Sequence, residues 1–201
     1  MGIKVKLGSS AAPFRASYVN AFKPKVVKGS DNGKEVYSVM ALFAPGADLA
    51  AAKAAALEAV KEKFGADKAE AIVKHPKFKS PFKNQAELVD DEGGQRPGTE
   101  AGGIFINLSN ALKPLVLGPD CNEIMDAREF YSGCYAVASC EVYAWEHPTG
   151  GKGVTFSLLG IQKVRDGDRL GGTGIRADVS DFEPVAGADN GGAGTAGDVF
   201  G

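Results

Sequence analysis

The chain has 201 residues, with 23 Lys and Arg against 25 Asp and Glu and a formal charge of −2. That length suits one domain with appendages, and three cysteines in a chain of this size argue against a disulfide framework. The first residues lack the apolar core of a signal peptide, and no run reaches the roughly 18 apolar residues of a membrane span, so the expectation is a soluble intracellular protein without membrane contact.

Residues 13–27 read as a first strand, with Phe14, Ala16 and Tyr18 alternating against Arg15, Ser17 and Val19. Residues 35–43, rich in Val, Tyr and Phe, read as a second strand. Asn32-Gly33 between them is a hairpin signal. The pattern then changes to a helix over 48–64. Asp48 is placed to cap it, Gly65 to end it, and Leu49, Ala56, Leu57, Val60 and Phe64 to form its apolar stripe. Residues 67–74 add a turn or two before His75-Pro76 stops them. Residues 75–102 read as one long connection, a length that usually goes with function.

Three strands follow, at 103–109, 135–145 and 153–163. The middle one alternates most clearly: Ala136, Ala138, Cys140, Val142 and Ala144 make a small apolar face. Residues 147–152 are the hairpin into the last strand. Five strands with a single good helix exclude a parallel α/β sheet, which needs a helix at most crossovers. The expected fold is mainly β: a five-stranded oligonucleotide-binding barrel with one amphipathic helix and a long basic loop.

No Lys or Arg follows Arg176, whereas Asp178, Asp181, Glu183, Asp189 and Asp198 lie among glycines and alanines, with Phe200 next to the end. Five of the 25 acids thus sit in the tail, which leaves 20 in residues 1–176 against all 23 cations. The expected organisation is a binding domain over 1–176 and a flexible acidic tail over 177–201, too polar and glycine-rich to build a core. A basic body with an acidic tail suits a polyanion ligand for which the tail competes.

Catalysis finds little support. Only His75 and His147 are present, neither in a nucleophile motif. Gly150-Gly151-Lys152-Gly153 lacks phosphate-loop spacing and joins two strands. Cys134, Cys140 and His147 lack a fourth zinc ligand, and Asp166-Gly167-Asp168 reads as a turn. No enzyme, metal or cofactor is expected.

The order and spacing of several segments resemble a family of phage-encoded single-stranded-DNA-binding proteins. The likeness is carried by Arg15-Ala-Ser-Tyr-Val-Asn-Ala-Phe22 with Pro24, Tyr37-Ser-Val-Met-Ala-Leu-Phe43, Pro81-Phe-Lys83 and Gly103-Ile-Phe-Ile-Asn107. Its most specific parts are Glu129-Phe-Tyr-Ser-Gly-Cys-Tyr-Ala136 and the stretch from Gly160 to Gly172. The long loop departs from the family pattern at Asn84-Gln85-Ala86. The resemblance implies an oligonucleotide-binding fold, single-stranded DNA as ligand and no catalysis. The role implied is sequence-tolerant coating of exposed strands in phage replication, recombination or repair, in the cytoplasm of a bacterial host.

Such binding needs cations along the phosphates and rings under the bases. The densest source is the acid-free run 74–83, where Lys74, Lys77, Lys79 and Lys83 interleave with Phe78 and Phe82; the alternative is a solvated loop pinned by two buried rings. Phe105 shares a face with Asn107 and Ser109 opposite Ile104, Ile106 and Leu108, and is either a stacking platform or a ring covered by the long loop. Tyr143 and Trp145 lie opposite the small apolar face of theirs, to stack or to cover the barrel. Arg15, Lys23 and Tyr37 flank the groove from the first hairpin, and Lys163, Arg165 and Arg169 extend the basic track. Asp178, Asp181, Glu183, Asp198 and Phe200 are candidates for screening the groove or recruiting replication proteins. A rival reading is a protein-interaction or virion component on the same barrel; a homo-oligomer stays open.

Overall fold

The computed structural model describes residues 2–26, 33–148 and 151–171. The tail with its five candidate residues, Asn32 of the first hairpin and residues 149–150 of the last lie outside the described residues. The five runs expected as strands are β2 (Phe14–Val26), β3 (Glu35–Phe43), β5 (Ile104–Asn110), β7 (Tyr135–His147) and β8 (Gly151–Arg165). Three short strands were not anticipated: β1 (Ile3–Leu7), β4 (Lys83–Asn84) and β6 (Leu115–Leu117).

The pairings run in a circle. β7 pairs with β2, β2 with β3, β3 with β5, β5 with β8, and β8 back with β7. The β5–β8 seam is the slender one, a parallel pairing at Leu108 and Phe156. The short strands add to this ring: β1 on β7, β4 on β5 and β6 on β8. Over the described residues the chain is mainly β, with two α-helices and a ring-like sheet.

Alternation explains the interior. Phe14, Ala16, Val39, Ala41, Ile106, Leu108, Ala136, Cys140, Val142, Phe156 and Leu158 all point inward and are at most 1% exposed. Phe14 and Phe43 meet at 5.5 Å and 55°, a tilted geometry that aromatic pairs favour. Each such ring, fully buried, contributes about 1.5–3 kcal/mol over leaving it in water.

α1 (Ala50–Phe64) starts two residues later than expected, with Leu49 at the cap position and the Ala50 amide donating to Asp48 Oδ1 at 2.9 Å. Its buried face differs from the expected stripe. Ala52, Ala55, Ala56, Ala59 and Val60 are buried, whereas Leu57 is 39% exposed. Small side chains let the helix lie close against β1 and β7, and that close approach selects the alanine face over the bulkier one. The short turn expected after Gly65 is a second helix, α2 (Ala66–Val73).

The long connection is more ordered than its composition suggests. Lys79 bridges Gly153, β4 joins β5, and a 3₁₀ turn spans Gln85–Glu87 with Asn84 and Glu87 capping reciprocally.

Candidate nucleic-acid interface

The outer side of β2, β3 and β5 is built in cross-strand rows. Arg15, Leu42, Phe105 and Lys83 form one row; Ser17, Met40 and Asn107 the next; Asn20, Ser38 and Ser109 the third. Asn107 is exposed and Asn20, Ser38, Met40 and Ser109 are half-buried, so the last two rows make a mostly polar floor. Phe105 shares the polar face as expected, but its ring is only 4% exposed, beside Leu42 at 3%. Neither belongs to the main core cluster; they are covered from outside. Of the two readings of Phe105, this burial fits the covered ring and not an open stacking platform. Lys83 is exposed, with Nζ 5.9 Å from the Phe105 ring centre.

The segment 85–103 leaves β4 beside β5, reaches Tyr18 on β2 through Arg96 and returns to β5. Gln85 fastens it. This side chain is 1% exposed; its Nε2 donates to the carbonyls of Phe43 (2.8 Å) and Ile104 (3.0 Å), and its Oε1 accepts from the Glu100 amide (2.8 Å). At the far end Arg96 Nε donates to the Val89 carbonyl at 2.8 Å. Its Nη1 donates to the Tyr18 hydroxyl at 2.7 Å, and the guanidinium carbon lies 5.8 Å from the Tyr18 ring centre.

Tyr18 and Arg96 are the residues that sequence reasoning missed. Alternation put Tyr18 inside with Phe14 and Ala16. The strand instead carries an extra residue: Ser17 pairs with Met40 and Asn20 with Ser38, so three positions of β2 span two intervals of β3. Tyr18 absorbs the shift at φ +46° and turns outward, 46% exposed. That backbone region costs a bulky residue about 1–3 kcal/mol and persists only when neighbours over-determine it. Here Asn20 Nδ2 donates to the Tyr18 carbonyl at 2.9 Å and Ser132 Oγ accepts from the Val19 amide at 3.1 Å. The Tyr-Val-Asn run gave no sign of the bulge. Arg96 is the one cation of residues 84–102, among Glu87, Asp90, Asp91, Glu92 and Glu100.

A second gathering lies where β7 begins and β8 ends. Arg165 stacks on Tyr135 at 3.5 Å and Arg15 stands 5.9 Å from the same ring. Arg169 stacks on Tyr131 at 3.9 Å, with Lys163 at 5.4 Å. The chain closes tightly here: Arg15 Nη2 donates to the Asp168 carbonyl at 3.0 Å, and Gly133, at φ +119°, has no room for a side chain against that carbonyl. Lys163 is largely consumed by structure. Its side chain is 12% exposed, 2.7 Å from Asp166 and 2.8 Å from the Glu129 carbonyl. Arg165 is exposed. Asp166 accepts from Lys163 and from the Tyr131 hydroxyl (2.7 Å), which holds its carboxyl below the usual range, and the same bond raises the Tyr131 phenol. Asp166-Gly167-Asp168 is thus a tied turn.

The basic run 74–83 divides. Phe78 packs half-buried against the core and Phe82 meets Phe156 edge-on at 5.9 Å, so both rings serve as pins, the alternative reading. Lys74 pairs with Glu70 at 2.6 Å on the surface. Lys77 lines a groove of about 580 Å³ with Lys68, His75, Phe78 and Lys152. Lys79 is exposed, its backbone hydrogen-bonded to Lys152 and Val154 beside β8. Lys83 stands apart from these on β4, paired with Phe105 of β5. Lys23 borders a groove of about 540 Å³ with Phe22, Lys25, Phe130 and Tyr131.

Tyr37 falls in the inward-facing row of β3 with Val39 and Ala41, at the half-buried strand end. Tyr143 is 43% exposed but lies beside Glu62 and Lys63 of α1, and Trp145 is half-buried across Gly153. The structure therefore brings together Arg15, Lys83, Phe105 and Asn107 on one face, with Arg165 adjoining through Tyr135. Lys74, Lys77 and Lys79 gather elsewhere, and Lys23, Tyr37, Tyr143 and Trp145 stand apart.

The buried thiols are quiet. Burial pushes Cys140 up to about 12 and also raises Cys134. Among the described residues no cluster of three or more His, Cys, Asp or Glu is placed to hold a metal, and no helix is long and apolar enough to cross a membrane.

Comparison with known proteins gives this arrangement a family. In fold, the chain is similar to the single-stranded DNA-binding protein from bacteriophage Enc34, at TM-score 0.57 and 23% identity over 89% of this chain and 88% of that one. It is similar to the same protein in complex with ssDNA, at TM-score 0.55 and 24% identity over 84% and 89%. It is also similar to gp2.5, a single-stranded DNA binding protein encoded by bacteriophage T7, at TM-score 0.54 and 16% identity over 82% and 93%. A curated relative, putative protein p50 of Acyrthosiphon pisum secondary endosymbiont phage 1, is 38% identical over 91 residues. That match spans 44% of this chain and 47% of the relative, less than half of its length. The profile of the family described as "Enterobacter phage Enc34, ssDNA-binding protein" matches residues 3–192, nearly the whole sequence, and the chain belongs to that family.

Proposed function

We propose that this chain binds single-stranded DNA with little regard to sequence and without catalysis, on the outer face of β2, β3 and β5. The family match over residues 3–192 carries this reading. The geometry supports it with a polar floor at Asn20, Ser38, Asn107 and Ser109, bordered by Arg15 and Lys83 and continued by Arg165. Lys77 and Lys79, with Lys74 beside them, offer a second set of cations for the path of the strand. The ring of five long strands is read as an oligonucleotide-binding barrel, with the short strands as additions.

The binding domain is residues 1–176 and the acidic segment 177–201 is an arm that competes with DNA for the basic face. Asp178, Asp181, Glu183 and Asp198 supply charge and Phe200 a late ring, which also suits recruitment of replication proteins. The setting is phage replication, recombination or repair in the cytoplasm of a bacterial host.

The test is a fluorescence titration with dye-labelled oligo-dT of several lengths. Four phosphate contacts give a slope of log affinity against log salt of about −3, so a fourfold rise in salt weakens binding roughly 50-fold. Removing residues 177–201 strengthens binding at low salt. Absence of saturable binding at low salt overturns the reading; unchanged affinity of the truncated chain overturns the competing arm alone.

A further inference from the structure

Tyr18 is an aromatic side chain held outward at a backbone cost. An unconstrained strand would keep the ring inside with Phe14 and Ala16, where burial would stabilise it. A one-residue bulge and a positive φ instead put nearly half of it in solvent, 46%, and three contacts fix that placement. Asn20 locks the Tyr18 carbonyl, Ser132 holds the next amide, and Arg96 grips the hydroxyl at 2.7 Å while standing 5.8 Å from the ring centre. Arg96 is itself anchored through Nε to the Val89 carbonyl. Its Nη2 has no hydrogen bond to the described residues. The pair stands next to the floor formed by Ser17, Met40 and Asn107 and by Asn20, Ser38 and Ser109.

A preorganised ring beside a guanidinium with an uncommitted donor matches the two chemistries of an unpaired nucleotide, a flat base and an anionic phosphate. We propose that Tyr18 and Arg96 form a nucleotide clamp: one base stacks on the Tyr18 ring and the adjoining phosphate is taken by Arg96 Nη2. The clamp rests on the single-stranded-DNA reading above and names a subsite within it. The buried Phe105 is not the stacking ring; the exposed Tyr18 takes that part.

The test compares oligo-dT with an oligomer of equal length whose sugars carry no bases, on wild type, Tyr18→Asn, Tyr18→Phe and Arg96→Gln. Asn tolerates the left-handed backbone, so Y18N removes the ring and keeps the strand path; thermal melting checks that each variant is folded. Y18N is expected to weaken oligo-dT binding by about 5- to 150-fold, the loss of one stacked base, and to leave the base-free oligomer unaffected. Y18F is expected to bind like wild type. R96Q is expected to weaken both ligands and to make the salt slope shallower by about 0.7. If Y18N binds oligo-dT like wild type, or loses equally on both ligands, the clamp is overturned while DNA binding stands. If wild type fails to bind oligo-dT, the underlying reading falls and the clamp with it.

Discussion

Gln85 fastens the segment 85–103 to β3 and β5, and removing its amide gives a number to check. The side chain makes three hydrogen bonds to main-chain groups of three different segments, at 2.8, 3.0 and 2.8 Å. The bond to the Phe43 carbonyl is buried; those to Ile104 and Glu100 are part-buried. Stranding the buried carbonyl costs about 1–3 kcal/mol, and losing each of the two that water can reach costs about 0.5–1.5 kcal/mol. Gln85→Ala is therefore expected to destabilise by about 3 kcal/mol, which for a chain of this size lowers the melting temperature by about 6–12 °C. Gln85→Met separates the terms, since it keeps the length and loses only the hydrogen bonds; it should retain most of the loss. Gly103 permits the arrangement: a Cβ there would lie 2.7 Å from Gln85 Cδ and 2.9 Å from the Phe43 carbonyl oxygen. Thermal and urea unfolding followed by circular dichroism measure the effect. A shift of under about 2 °C for both variants would show that the segment is held by something else and refute the reasoning.

Gly133→Ala should destabilise by about 2–5 kcal/mol, because its methyl group would overlap the Asp168 carbonyl at φ +119°; an unchanged urea midpoint would show that the turn yields freely. Asp166 has a depressed carboxyl in the folded chain, set first by Lys163 and then by Tyr131. Its stabilisation is thus full above the ordinary carboxylate pKa and fades as pH falls below about 4. The stability gap between wild type and Asp166→Asn should be flat at neutral pH and close in acid, and a gap that persists undiminished in acid unfolding would count against the node. Titration with a thiol reagent should modify exposed Cys121 quickly and buried Cys134 and Cys140 only on unfolding; rapid modification of all three in the folded protein would contradict the closed core.

The long strands and α1 were legible because their signals are local. Ala136, Ala138, Cys140 and Val142 alternate through β7 without interruption, and the same residues are buried. β1 carried a fainter alternation, Ile3, Val5 and Leu7 against Lys4 and Lys6, while β4 and β6 are two and three residues long, too short for any periodicity. They exist because an edge of a neighbouring strand was available to pair. The site was legible in residue type more than in place. Asn107 and Lys83 do lie on the outer face of the sheet, but Phe78 and Phe82 turned out to pin a loop, since the aromatic and basic run that suggests a binding segment equally suits a ring anchored to a core.

By itself the sequence determined where the long strands and the first helix run, which two hairpins join neighbouring strands and where the positive charge lies, for these follow from the spacing of apolar, charged and turn residues along a few turns or pleats. Only the tertiary structure decided that Tyr18 leaves the core, that Phe105 is roofed over and that Arg96 crosses to meet β2. Each of those depends on the register between strands and on contacts between residues up to 113 positions apart, where one extra residue in a pleat reverses the direction of a side chain.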